Sequence, residues 1–287
     1  LISGCKEEYA ALHEDANPQP PAQVSKDVTA EIFFDASYSM YGYVTVENSY
    51  FTKTLQLLSR AYYSGWPDGK IVYNKFGTKI AQISRQEAVK AQKDEFYYDK
   101  EFNKETLIEN VIVKAKEKDL TIIVTDLFQK DADVNLLIEK LNQKYLAKNL
   151  AVGVLGIKSE FKGIVADVGI QGLHFNYSTI GKKTKDYRPF FVLMLGNYMD
   201  VSHFYEKLST NGLDAFPETN FVIFSSQLVE QPATFKNAKL VDIFKLKEVT
   251  SILNPRIRNE YIKQFVVQKK SKKPYFVSRS PIRLLSY

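Results

Sequence analysis

The 287 residues contain one cysteine, three histidines and one tryptophan. A single thiol, Cys5, excludes an intrachain disulfide and any cysteine-rich metal site. The histidines, His13, His174 and His203, fall in three separate stretches and are read as surface or packing residues. No run of 18 or more apolar residues occurs, so no stretch is long enough to cross a bilayer as a helix. A glycine-rich phosphate loop, a nucleophile elbow and a zinc-binding histidine pair are also missing. Core material is plentiful by contrast. An apolar fraction of 45%, with 19 Phe and 18 Tyr against 25% charged residues, excludes a disordered or fibrous chain and suffices for one large or two small domains. The aromatic residues follow strand and helix periodicities without interleaving with basic ones, so no nucleic-acid partner is expected.

The net charge of +6 is unevenly placed. From Val229 onward nine Lys and four Arg face three Glu and one Asp, which leaves residues 1–228 net acidic. The basic run Gln268-Lys-Lys-Ser-Lys-Lys-Pro274 reads as a solvated loop between strands, with anionic lipid or polymer at a cell surface as the alternative. At the other end, Leu1-Ile2-Ser3-Gly4-Cys5 resembles the lipobox that closes a bacterial lipoprotein signal peptide. That resemblance implies a lipid on Cys5 and anchorage to the extracytoplasmic face of a bacterial membrane. Lys6 to Lys26 is polar, carries Pro18, Pro20 and Pro21 and lacks periodicity, as expected of a flexible stalk. Three parts follow: 1–26 as lipobox remnant and stalk, 27–215 as the main domain, and 216–287 as a small, basic, strand-rich region.

Within the main domain the apolar pattern alternates between the two regular periods. Thr29–Phe34 reads as a buried strand ending at Asp35, and Glu47–Tyr63 as a helix stopped by Ser64-Gly65-Trp66-Pro67. Ile71–Phe76 and Lys79–Ile83 around Gly77 predict a hairpin. Helical patterns at Ser84–Gln92 and Lys104–Lys118 lead to a second central strand, Leu120–Thr125. A helix at Asp133–Lys148, with Val134, Leu137, Ile138, Leu141 and Leu146 as its apolar stripe, precedes a strand at Leu150–Ile157. A further strand at Pro189–Gly196 and a helix at Val201–Ser209 complete the pattern. The alternation predicts an α/β fold: a doubly wound, mostly parallel, Rossmann-like sheet with helices on both faces. Ligands bind such sheets at the carboxyl ends of the strands, which points to the loops after Phe34 and Thr125.

Those loops hold Asp35-Ala36-Ser37-Tyr38-Ser39 and Thr125-Asp126. A carboxylate and two hydroxyls at alternate positions of one turn can converge, and a second carboxylate arrives from another strand. Hard oxygens of this kind suit Mg²⁺ or Mn²⁺ in octahedral coordination. The pattern resembles the metal-ion-dependent adhesion site of the von Willebrand factor A family. The resemblance implies that Asp35, Ser37, Ser39, Thr106 (in Asn103-Lys-Glu-Thr-Leu-Ile108) and Asp126 hold the cation, and that an acidic residue of a protein partner completes its shell. It covers residues 27–157 well and extends more loosely to 215. Members of that family often carry glycine within the first motif and after the last Asp, where this chain has the bulkier Ala36, Tyr38 and Leu127. Asp131 and Asp133 add nearby carboxylates, Asp133 being read as a helix cap.

The expected activity is therefore metal-dependent binding of a macromolecule, and not catalysis. An envelope-assembly lipoprotein with a vestigial metal site is the alternative. A metal-dependent hydrolase is a more distant one, because no general base accompanies the carboxylates.

Overall fold

The computed structural model describes residues 23–128, 134–166 and 174–225, and three short strands farther along the chain. The chain divides into two units, Pro21–Ser226 and one made of Leu1–Pro20 with Gln227–Tyr287.

In the first unit the strands are β1 (Thr29–Asp35), β2 (Lys70–Phe76), β3 (Ile80–Ile83), β4 (Leu120–Thr125), β5 (Ala151–Ser159), β6 (Lys162–Ala166), β7 (His174–Ser178), β8 (Arg188–Gly196) and β9 (Thr219–Phe224). Seven of them form one sheet in the order β3-β2-β1-β4-β8-β5-β9, and β6 and β7 form a separate antiparallel pair. β1 pairs parallel with both β2 and β4, so the centre of the sheet is parallel as expected. Elsewhere the direction alternates: β8 is antiparallel to β4, β5 to β8, β9 to β5 and β3 to β2. The sheet is therefore mixed. The Pro189–Gly196 pattern announces a strand but carries no direction; after the β6–β7 excursion that strand returns between β4 and β5. The unit also extends past the expected boundary at residue 215, because β9 pairs with β5 along six residues.

The helices are α1 (Tyr50–Gly65), α2 (Arg85–Val89), α3 (Ile108–Lys114), α4 (Val134–Lys144) and α5 (Tyr198–Thr210). They cover both faces, which is why β1 and β4 read as continuous apolar runs. On one face Ala30, Ile32 and Phe34 of β1 and Leu120, Ile122 and Val124 of β4 pack with Phe51, Leu58 and Tyr62 of α1 and Val201, Phe204 and Leu208 of α5. On the other, Phe33 and Ile123 meet Ile108, Val111 and Ile112 of α3, with Leu137 and Leu141 of α4 against them. Ile138, read as part of the α4 stripe, is exposed. Ser49 caps α1 by accepting from the Thr52 amide, and Asn197 caps α5 by accepting from the Met199 amide.

α3 is much shorter than the expected 104–118. At its start the Leu107 amide donates to the Gly77 carbonyl, and the Thr78 amide donates to the Phe102 carbonyl, which pins 102–107 across the β2–β3 turn instead of into a helix. At its end Ala115 turns extended, and the Lys144 ammonium donates to the carbonyls of Ile112, Val113 and Ala115. The expected stalk also ends early. Ser25 donates from its amide and its hydroxyl to Asp200, both at 2.7 Å, and its carbonyl accepts from the Trp66 indole, so residues 23–26 are tied to the domain.

In the second unit β10 (Lys239–Val241), β11 (Phe265–Val267) and β12 (Tyr275–Ser278) form an antiparallel sheet in the order β10-β12-β11. Cys5, His13, Asp131, Asp133 and the basic run Gln268–Pro274 lie outside the described residues. Among the described residues no helix is long and apolar enough to cross a membrane.

Gly77 is required by close approach: a Cβ there would lie 1.9 Å from the Phe102 carbonyl oxygen. Gly77→Ala must displace the 102–106 backbone, and a loss of about 2 kcal/mol in chemical denaturation is expected, as for overpacking of a tight interior.

Candidate metal centre

β1 and β4 are parallel neighbours with Phe34 opposite Val124, so the residues at their carboxyl ends, Asp35 and Thr125-Asp126, emerge side by side. The chain then turns at once. The Ser37 amide donates to Asp35 Oδ1 at 2.9 Å, and Tyr38–Tyr43 winds into a 3₁₀ helix that brings the Ser39 hydroxyl within 3.0 Å of the Ser37 hydroxyl. Ser39 donates to Asp126 Oδ1 at 3.2 Å, which closes the link between the two strand ends. From the pinned 102–107 segment Thr106 reaches Asp35 Oδ1 at 3.4 Å. All five residues anticipated from the sequence therefore meet in one cluster, although Thr106 stands in the segment before α3 and not on the helix.

Three members of the cluster were not anticipated. Thr125 donates to Asp35 Oδ2 at 2.7 Å and accepts from the Leu127 amide. Arg188 places Nη2 3.0 Å from Asp126 Oδ2, and its Nε donates to the Tyr43 hydroxyl at 3.1 Å. Tyr43 in turn donates to the Pro189 carbonyl at 2.5 Å. The Arg188 guanidinium also lies over the Phe161 ring, 4.8 Å from its centroid. The sequence held a signal for Thr125, a hydroxyl adjacent to the chosen Asp126; it held none for Arg188 or Tyr43, which arrive through strand direction and the 3₁₀ turn.

Asp35, Ser37, Thr106 and Asp126 are buried, while Ser39 and Arg188 are only partly so and form the side of the cluster nearer solvent. Burial and the neighbouring Asp126 charge push the Asp35 carboxyl up to about 7, against the hydrogen bonds from Thr125 and Ser37. Burial pushes Asp126 upward too, and the Arg188 charge opposes it. Two buried carboxylates share one guanidinium, which pairs with Asp126, and this leaves a deficit of positive charge on the Asp35 side. Carboxylate and hydroxyl oxygens gathered around that deficit match what Mg²⁺ or Mn²⁺ requires, so the residues fit such a cation. Among the described residues no group of three or more His, Cys, Asp or Glu is placed to hold a metal, so the available donors are these two carboxylates with hydroxyls.

Ala36 is fully buried in the first core, Tyr38 is exposed with its ring stacked on Tyr41, and Leu127 packs against the second core. Leu127 does so with φ 58°, a left-handed conformation that costs a non-glycine residue about 1 kcal/mol or more. His203 and His174 lie elsewhere: His203 stands edge-on to Trp66 and 3.5 Å from Glu206, and His174 is exposed at the start of β7. No protein-family model, curated protein or solved structure matches the chain.

Replacing Thr125 by Val keeps the shape of the strand end and removes a hydroxyl that holds a buried carboxylate. A loss of about 2 kcal/mol is expected in thermal or chemical unfolding without added metal, the range for hydrogen bonds to charged groups.

Proposed function

We propose that this chain is a lipid-anchored bacterial protein of the extracytoplasmic face, whose α/β unit is a doubly wound domain of the von Willebrand factor A type. It binds a protein partner through Mg²⁺ or Mn²⁺ and is not an enzyme. The observation that carries this reading is the convergence of Asp35, Ser37, Ser39, Thr106 and Asp126 from three separate segments at the carboxyl edge of the sheet. Ser37 and Ser39 would hold the cation directly with Asp35, and Thr106 and Asp126 would do so directly or through water. A cation held largely by neutral hydroxyls keeps enough charge to attract an external carboxylate, which is the role assigned to an acidic residue of the partner.

A second reading has one observation in its favour. Arg188 already pairs with Asp126, as a structural domain with a metal-free site would require. Calorimetric titration of Mn²⁺ and Mg²⁺ into the protein, beside the isosteric Asp35→Asn, separates the two. Adhesion predicts binding by the wild type and at least about tenfold weaker binding by Asp35→Asn, because a charged ligand becomes a neutral one. Equal heats in both proteins, or none in either with acetate present to stand in for the partner's carboxylate, support the structural role.

Anchorage is tested separately on the protein made in its native host. Cys5→Ser is expected to move it from the detergent phase to the aqueous phase in a detergent partition assay; unchanged partition rejects the lipid.

A further inference from the structure

We infer that Arg188 couples cation binding to acidic-ligand binding, by setting the charge of the loaded site. The inference rests on the metal reading above and concerns a residue which that reading does not use. Arg188 is the first residue of β8, and β8 runs antiparallel to β4, so the start of one strand lies where the other ends. That topology is what delivers a guanidinium to Asp126. The pair is nearly dry: the Arg188 side chain is 15% exposed and that of Asp126 1%. Its geometry is fixed from three sides, by Asp126 Oδ2 at 3.0 Å, by the Tyr43 hydroxyl at 3.1 Å and by the Phe161 ring at 4.8 Å. A guanidinium stays protonated at any working pH, so this positive charge is permanent.

The charge count then decides the behaviour of the site. With both carboxylates ionised, Asp35, Asp126 and Arg188 sum to −1. A divalent cation brings the cluster to +1, and an incoming carboxylate brings it to zero. Without Arg188 the cation alone reaches zero, and a further carboxylate would leave an excess negative charge in a low-dielectric setting. Arg188 thus weakens binding of the bare cation and makes the cation wait for an anion, so that each favours the other by the same factor. Arg188 and Ser39 both bond Asp126 and are both only partly buried, so the positive charge stands at the more exposed part of the cluster. Arg188 acts on the cation through Asp126 and is a positioning residue.

The test is calorimetric titration of Mn²⁺ into the full chain, with and without acetate, for the wild type, Arg188→Gln, Arg188→Met and Arg188→Lys. Circular dichroism verifies folding, and Arg188→Met keeps an aliphatic stem over Phe161 should Arg188→Gln fail to fold. The wild type and Arg188→Lys are expected to bind Mn²⁺ about tenfold more tightly with acetate present. The neutral variants are expected to bind bare Mn²⁺ about tenfold more tightly than the wild type and to gain little from acetate. A merely structural role would weaken binding in the neutral variants. If the wild type binds Mn²⁺ and neutral variants bind it no more tightly, or keep the full acetate effect, the inference about Arg188 is wrong and the metal reading survives. If neither the wild type nor any variant binds Mn²⁺ with acetate present, the metal reading fails and takes this inference with it.

Discussion

Asp35 and Asp126 leave neighbouring strand ends with their carboxylates buried, and burial pushes both toward the protonated form. A like-charged pair in that position is tolerated only when every oxygen has a donor or a counter-charge. Around it the structure supplies Thr125, Thr106 and the Ser37 amide to Asp35, and Ser39, the Phe128 amide and Arg188 to Asp126. The six donors come from four parts of the chain, so the electrostatics of two residues hold together the turn after β1, the end of β4 with its loop, the segment before α3 and the start of β8. The donors that stabilise these strand ends include a single cation, and it pairs with Asp126, so the Asp35 side is left short of positive charge.

Packing carries that arrangement outward. The 3₁₀ helix that bears Ser39 is backed by the β6–β7 hairpin, where a Cβ on Gly42 would run into the Phe161 ring and one on Gly163 would lie 3.0 Å from Gly42 Cα. Phe161 also supports the face of Arg188, and Tyr43 packs edge-on to Phe161 and Phe190 while it holds the guanidinium Nε. A single aromatic cluster therefore fixes both the motif turn and the residue that neutralises it. Thr106 is held differently, by backbone hydrogen bonds across Gly77, so its reach to Asp35 depends on a turn with no side chain at that point.

What could be read in the sequence follows from the range of the forces involved. β1, β4, the β2–β3 hairpin and α1 declare themselves because their apolar patterns are local, continuous in β1 and β4 where both faces are covered and periodic in α1 where one is. Asp35, Ser37, Ser39 and Asp126 could be placed for a similar reason, since a strand end fixes where its next residues go. Thr106 was placed only by the resemblance to the von Willebrand factor A pattern, and the helix expected to carry it begins two residues later, because the 102–107 backbone bonds to a distant turn. The exposed Ile138 in α4 and the shortened α3 show tertiary contacts overriding periodicity. Arg188 was out of reach altogether. A basic residue before a buried run says nothing about which edge of a sheet it will meet, and only the reversed direction of β8 brings it to Asp126.

The place of β8 also constrains the order in which the sheet can be assembled. β1, β2, β3 and β4 can pair once residue 125 has emerged, because each finds its neighbour among them. β5 is made next but has no partner among the strands already present; it hydrogen-bonds to β8 and β9 alone. Until β8 is in place, β4 presents an open, apolar edge and β5 lacks its partner, the kind of arrangement that invites pairing with another chain. β8 both covers that edge and carries Arg188 to Asp126, so the ion pair and the closed edge come with the same strand.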